Sequence, residues 1–137
     1  MDTAAGPVAP DEFVLRRVPK DYYQANLPIP VQWVAFKPWP RDATGLSVYR
    51  ERLVRAEQIV ASAVAGKRGD LCIARLSVRD LLALGLTVVP EEADLPGHAV
   101  IPELRFENYQ RDKKRFREVL VELARIASRD IVYRPPA

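Results

Sequence analysis

Apolar residues recur at helical spacing near the end of the chain and predict its longest helix. Over Tyr109–Ser128, the residues Phe116, Leu120, Leu123 and Ala127 fall on one stripe, while charged residues fill the opposite face. An isolated helix of this length is marginal in water unless its apolar face is covered. We therefore expect this stripe to pack on the rest of the fold.

Two shorter helices are predicted earlier in the chain. Apolar residues recur at helical spacing from Leu53 to Val64, and Ser47 is a candidate N-cap for this segment. Ser77 is a candidate cap for a short helix over Val78–Leu84. Both segments are bounded by turn-forming residues, so we expect each to end before the next strand begins.

Short runs of apolar and β-branched residues predict the strands. They lie at residues 13–18, 31–37, 71–76, 86–89, 97–104 and 131–133. Because helices and strands intermingle, we expect an α+β fold. Its mixed sheet should have about five strands, with two longer helices and one short helix packed mainly on one face. A three-layer α/β arrangement is the alternative. Residues 1–10 are expected to form a disordered tail and residues 11–137 one globular domain.

Composition narrows the class of protein. Charged residues make up 28% of the 137-residue chain, and no apolar run is long enough for a transmembrane helix. The first residues lack the features of a signal peptide, so we expect a cytoplasmic protein. Cys72 and His98 are the only residues of their types, which argues against a disulfide framework and a transition-metal site. No phosphate-binding glycine loop is present, and no cofactor is expected.

The positive charge of the chain is concentrated in one segment. The net charge is +3, and residues 105–117 hold six basic residues against two acidic ones. The candidates for contact with nucleic acid or another anion are Arg111, Lys113, Lys114, Arg115 and Arg117. A solvated helix face is the alternative interpretation, because Tyr109 and Phe116 lie on the inner side and are not interleaved for base stacking.

The candidates for chemistry are few. His98 enters a strand from a turn, where it is either a general base or a structural, hydrogen-bonded residue. The candidate partners for its ring are Asp42, Ser47, Tyr49 and Glu103. The candidates for holding an anion are Arg16, Arg17 and Arg50. Trp39 is either a contact for a protein partner or part of the core.

Two segments together resemble a known set of proteins. WVAFKPWPRDATGLSVYR and ARLSVRDLLALGLTVVPEEADLPGHAVIPEL resemble small bacterial hypothetical proteins with an arginine-bearing first strand, an "AF…D..LSV.R" stretch and a later "LGL.V.P…PGHA.I" stretch. The resemblance covers about residues 13–104 and leaves out the basic helix. It implies a bacterial, stand-alone, cytosolic protein, and it transfers no activity and no catalytic residue.

Three functions remain open from the sequence. The first is a small non-enzymatic interaction or accessory protein that acts with a neighbouring gene product, since no nucleophile–base pair is recognisable along the chain. The second is a nucleic-acid-associated protein that uses the basic helix 109–129. The third is a small enzyme whose site lies near Arg16, Asp42–Arg50 and His98. The third requires these segments to share one pocket.

Overall fold

One antiparallel sheet forms the centre of the molecule. The computed structural model describes residues 6–65, 70–91 and 95–134, and within these ranges six strands pair in the order β4-β5-β2-β1-β3-β6. The strands are β1 (Phe13–Pro19), β2 (Leu46–Arg50), β3 (Leu71–Ser77), β4 (Val89–Pro90), β5 (His98–Ile101) and β6 (Ile131–Tyr133). The helices are α1 (Ala56–Ala65), α2 (Val78–Ala83), α3 (Phe106–Arg111) and α4 (Lys113–Ser128).

The predicted α+β class is confirmed, and the sheet differs from the expected one in detail. Every pairing between its described strands is antiparallel, whereas we expected a mixed sheet. The reason lies in the position of β1. Helix α1 connects β2 to β3, and these two strands run parallel, but β1 lies between them and pairs with both in the opposite direction. None of the described residues forms a helix long and apolar enough to cross a membrane.

Helices pack mainly on one face of the sheet, as expected. Buried residues of α2, α3 and α4 join the main core, whereas α1 is the one described helix that packs on the opposite face. On the first face, α4 buries Leu120, Leu123 and Ala127 completely, so the stripe predicted for the last helix packs in the main core. Each buried Leu contributes roughly 1.5–3 kcal/mol to folding. On the second face, Ile59 of α1 packs with Leu15 of β1 in a smaller, separate cluster.

The strand predicted at residues 31–37 is wrong. These residues form a 3-10 helix, Trp33–Phe36, which packs against α4 over the main core. Ala35 and Phe36 are buried there, and the only described ladder contact of the segment is the isolated bridge Tyr23–Val31. The aromatic and β-branched content that indicated a strand reflects burial in this position instead.

The N-cap predicted at Ser47 is also wrong. Ser47 lies inside β2, and α1 begins at Ala56, nine residues later. Leu46 and Val48 on either side of Ser47 are completely buried, as expected for alternate positions of a strand. The helix predicted over Tyr109–Ser128 is divided at Asp112, whose carboxylate accepts a hydrogen bond from the Arg115 N–H at 3.2 Å and caps α4.

A buried arginine connects the beginning of the chain to the sheet. The Arg50 guanidinium donates to the Glu12 carboxylate at 2.9 and 2.7 Å, and to the carbonyls of Gly6 and Pro7 at 2.8 and 3.3 Å. Arg50 is therefore a structural residue and does not hold an anion at a site, contrary to our expectation. Residues 6–10, which the sequence assigns to a tail, make contacts within the fold. Residues 1–5 lie outside the described part of the chain.

Candidate functional site

The pairing of β2 with β5 brings Ser47 and His98 to one face of the sheet. His98 lies opposite Tyr49, and Ser47 lies opposite Val100. Because residues two apart on a strand share a face, Ser47, Tyr49 and His98 all project to the second face, where Tyr49 joins the smaller core cluster. The third sequence hypothesis required Arg16, the segment Asp42–Arg50 and His98 to share one pocket. Ser47 of that segment meets His98, whereas Arg16 reaches the main-chain carbonyl of Ser47 and not the imidazole.

The two ring nitrogens of His98 have different partners. Nε2 lies 2.6 Å from the Ser47 hydroxyl oxygen, and Nδ1 lies 3.2 Å from the main-chain carbonyl of Glu91. A carbonyl oxygen only accepts hydrogen bonds, so the ring carries a proton on Nδ1. In the neutral ring, Nε2 then accepts the Ser47 proton. This tautomer is the one in which a histidine acts as a general base toward a serine.

A carboxylate and an aromatic ring complete the surroundings of His98. The carboxylate oxygen Oε1 of Glu91 lies 3.7 Å from Nδ1, close enough to stabilise a positive charge on the ring. Glu91 follows β4, and its N–H donates to the His98 carbonyl at 3.0 Å, which fixes the two residues side by side. The Tyr49 ring meets the imidazole edge-on, with 5.4 Å between ring centroids. The His98 side chain is only 11% exposed, so its orientation is well determined by packing.

Arg16 supports the main chain of Ser47. Its Nη1 donates to the Ser47 carbonyl at 2.7 Å, while Nε and Nη2 donate to the Ala35 carbonyl at 3.2 and 2.8 Å. The β1–β2 ladder ends at Leu15 and Tyr49, so it supplies no hydrogen bond to the Ser47 carbonyl beyond that point. The Arg16 side chain supplies that hydrogen bond instead. Burial lowers the pKa of Arg16 to about 10, so the group remains a cation at neutral pH.

Arg17 lies on the same face as Ser47. Its guanidinium is 5.6 Å from the centre of the Tyr49 ring. Arg17 follows Leu15 by two residues on β1, and Leu15 lies opposite Tyr49, so Arg17 projects to the same face as Tyr49. The site therefore contains a hydroxyl, an imidazole, a carboxylate and a nearby cation.

Asp42 does not join the imidazole. Its carboxylate oxygen Oδ2 accepts from the Trp39 N–H at 2.7 Å, and its carbonyl accepts from the Phe106 N–H at 2.9 Å. These bonds close the turn before β2 and connect it to α3. Gly45 follows with φ of 145°, and a Cβ at this position would lie 2.6 Å from the carbonyl oxygen of Ile101. Glycine is thus required for the close approach of this turn to β5.

The remaining predicted residues lie away from the imidazole. Lys113, Lys114 and Arg115 are exposed at the start of α4. Arg111 forms an ion pair with Glu107, and the Arg117 guanidinium lies 4.7 Å from the centre of the Trp33 ring. Trp39, the predicted partner contact, is half-buried, and the Lys37 ammonium lies 4.4 Å from the centre of its ring.

No metal-binding constellation occurs in the described parts of the chain, where no three His, Cys, Asp or Glu residues are grouped to hold an ion. Cys72 is buried in the main core. Desolvation by burial raises the pKa of its thiol to about 11, which keeps it protonated at neutral pH. Cys72 is thus a packing residue, and the Ser47 hydroxyl is the nucleophile to consider.

Sequence reasoning missed Glu91 entirely, whereas it named Ser47 both as a helix cap and as a candidate partner for the His98 ring. The alternation of buried residues around Ser47 was the available signal for a strand. Comparison of the chain with protein-family models, with curated proteins and with solved structures found no match. The interpretation of the site consequently depends on its geometry.

Proposed function

We propose that this protein is a serine-dependent acyl-transfer enzyme, most simply an esterase. The observation that carries this proposal is the 2.6 Å contact between the Ser47 hydroxyl and Nε2 of His98, together with a Glu91 acceptor at the other ring nitrogen. A nucleophile, a base within hydrogen-bond distance and a third group that orients the base are the signature of an activated serine. This arrangement favours the enzyme over the accessory protein that the sequence suggested first.

The reaction would proceed in two balanced steps. The Ser47 oxygen attacks the carbonyl carbon of an ester while its proton passes to Nε2 of His98, and the alcohol leaves with that proton. A water molecule then attacks the acyl group on Ser47 and gives its proton to the same nitrogen. The acid leaves as the Ser47 oxygen takes back a proton. Glu91 stabilises the imidazolium that exists between these transfers.

Arg16 and Arg17 have separate roles in this proposal. Arg16 positions the nucleophile, because its side chain is bonded to the Ser47 carbonyl at 2.7 Å. Arg17 places a positive charge on the face where the carbonyl oxygen becomes negative during attack. Fixed positive charge at such a position is commonly a large contribution to the rate.

A burst of product release tests the proposal. With p-nitrophenyl acetate in excess, the wild-type protein should release about one equivalent of nitrophenol rapidly and then turn over slowly, because an acyl-enzyme accumulates. Stopped-flow absorbance measures both phases. The Ser77→Ala variant, which removes another half-buried strand serine, should keep the burst. Release no faster than that caused by the unfolded protein would contradict the proposal.

Nucleic-acid binding is a second candidate because Lys113, Lys114 and Arg115 are exposed together at the start of α4. Three neutralised phosphates give a slope of about −2.7 for the logarithm of affinity against the logarithm of salt concentration. Fluorescence anisotropy with duplex DNA measures this slope. Replacing the three residues by Glu should abolish binding, whereas a control variant with the same charge change at the exposed residues Lys20, Arg55 and Arg79 should retain it. Equal binding by both variants would exclude the helix as the contact.

A further inference from the structure

Three arginines surround a small cavity beside the candidate site. The cavity has a volume of about 90 Å³ and is lined by Arg16, Arg17, Pro19, Arg41 and Leu71. None of these described lining residues is acidic. The cavity adjoins Ser47 through Arg16, which is bonded to the Ser47 carbonyl, and adjoins Tyr49 through Arg17.

Charges of both signs act on Arg16 in this cluster. Burial opposes its charge most, Asp42 favours the charge, and Arg17 and Arg41 oppose it. The Asp42 carboxylate also accepts the Trp39 N–H, so it is held in the turn. Guanidinium groups that converge on a cavity are the usual means of recognising a carboxylate or a phosphate.

We infer that this cavity binds one anionic group, a carboxylate or a phosphate, and that the substrate is therefore an ester with a negatively charged group near the scissile bond. The substrate assignment rests on the proposed function, whereas anion binding does not. The volume supports a single ionic group. It is far above the 10–15 Å³, roughly, that one water molecule needs, and below the roughly 300–1,000 Å³ of pockets that hold whole drug-sized ligands.

The arginines have different functions in this cavity. Arg16 contributes its charge, but the donors on Nε, Nη1 and Nη2 already serve two main-chain carbonyls. Arg41 is exposed and reaches the cavity from the turn before β2, so it is the most direct ligand. Arg17 is the residue common to the cavity and to the Ser47 face, and it would connect anion binding to catalysis.

Binding of simple anions tests this inference without relying on catalysis. Inorganic phosphate and succinate are titrated at constant ionic strength into the wild-type protein and four variants, and binding is followed by calorimetry. At least one of the two anions should bind both the wild-type protein and Ser47→Ala. Binding of phosphate would indicate a phosphate site, and binding of succinate would indicate a carboxylate site. Arg17→Gln and Arg41→Gln should each weaken binding about tenfold or more, the value of one charge-assisted hydrogen bond. The control Arg79→Gln, an exposed arginine of α2, should bind as the wild-type protein does.

Two results would overturn the inference. One is the absence of binding of both anions to wild-type protein that melts cooperatively. The other is equal weakening by Arg79→Gln and Arg41→Gln, which would indicate a general charge effect.

Ester hydrolysis then separates this inference from the proposed function. The measured quantity is the ratio of kcat/KM for p-nitrophenyl succinate to kcat/KM for p-nitrophenyl butyrate. This ratio should be about tenfold lower in Arg41→Gln than in the wild-type protein. Anion binding without hydrolysis would leave the cavity in place and reject the serine enzyme. Hydrolysis of both esters with an unchanged ratio in Arg41→Gln would reject the cavity as a substrate pocket.

Discussion

Replacing Arg50 by Met is expected to lower the free energy of unfolding by about 3–5 kcal/mol, the usual cost of breaking a buried ion pair by removing one partner. Arg50 is completely buried, and its guanidinium holds the Glu12 carboxylate and two carbonyls of the N-terminal segment. The variant leaves the Glu12 carboxylate, whose side chain is 9% exposed, with the exposed Arg52 as its only described ion-pair partner. Urea denaturation measures the change.

The matched control for this prediction is Arg75→Met. Arg75 also forms ion pairs, with Glu51 and Asp130, but its side chain is 34% exposed. Exposed pairs of this kind contribute about 0–1 kcal/mol, so the loss should be much smaller than at Arg50. Equal losses in the two variants would contradict a special role for the buried pair.

The acid dependence of stability provides a second readout of the same pair. The hydrogen bond from Arg50 holds the pKa of the Glu12 carboxyl below its usual value of 4.5. A lowered pKa in the folded state stabilises the protein above the unfolded-state pKa, and this contribution is lost as pH falls through the folded-state value. The stability difference between the wild-type protein and Glu12→Gln should therefore shrink as the pH is lowered below 4.5.

Ser47→Ala and His98→Ala are each expected to lower kcat for ester hydrolysis by about a thousandfold or more, since loss of either member of a nucleophile–base pair removes the whole mechanism. Their effects should not add in the double variant, because the two residues act as one unit. Steady-state kinetics with p-nitrophenyl acetate measure these losses. Thermal melting of each variant checks that the fold is retained.

Glu91→Gln should have a smaller effect on kcat than either of these changes. The main-chain carbonyl of Glu91 holds Nδ1 at 3.2 Å, and this contact survives replacement of the side chain. Only the carboxylate at 3.7 Å is lost, so the ring keeps its tautomer but loses part of the stabilisation of its charge. If the Ser47–His98 bond merely connects β2 to β5, all three variants would change stability and leave kcat at its wild-type value.

The sequence was sufficient to predict those helices and strands that have a clear hydrophobic pattern of their own. The α4 stripe, the strand β3 and the strand β6 all follow from local periodicity, and the structure places them as expected. Residues 31–37 were misassigned because a run that is apolar on both sides fits either a buried strand or a buried 3-10 turn. Only the packing of this segment under α4 distinguishes the two possibilities.

The candidate site was harder to predict because it depends on which strands are neighbours. His98, Arg16 and the segment Asp42–Arg50 were named from residue type, and Ser47 was one of four candidate partners for the imidazole as well as a candidate helix cap. The pairing of Ser47 with His98 arises from the β2–β5 register, which joins residues 51 positions apart. Nothing local in the sequence specifies that register, or the separate β4–β5 pairing that places Glu91 at the other ring nitrogen.

Covalent labelling by a fluorophosphonate tests the central claim most directly. The reagent transfers its phosphoryl group to an activated serine oxygen with loss of fluoride, and mass spectrometry of the tryptic peptide 42–50 locates the adduct. We expect one adduct on Ser47 in the wild-type protein and in Ser77→Ala, and none in His98→Ala, because His98 activates the hydroxyl through the 2.6 Å contact. A wild-type protein that remains unlabelled, or a His98→Ala variant labelled at the wild-type rate, would contradict the assignment of Ser47 as a nucleophile.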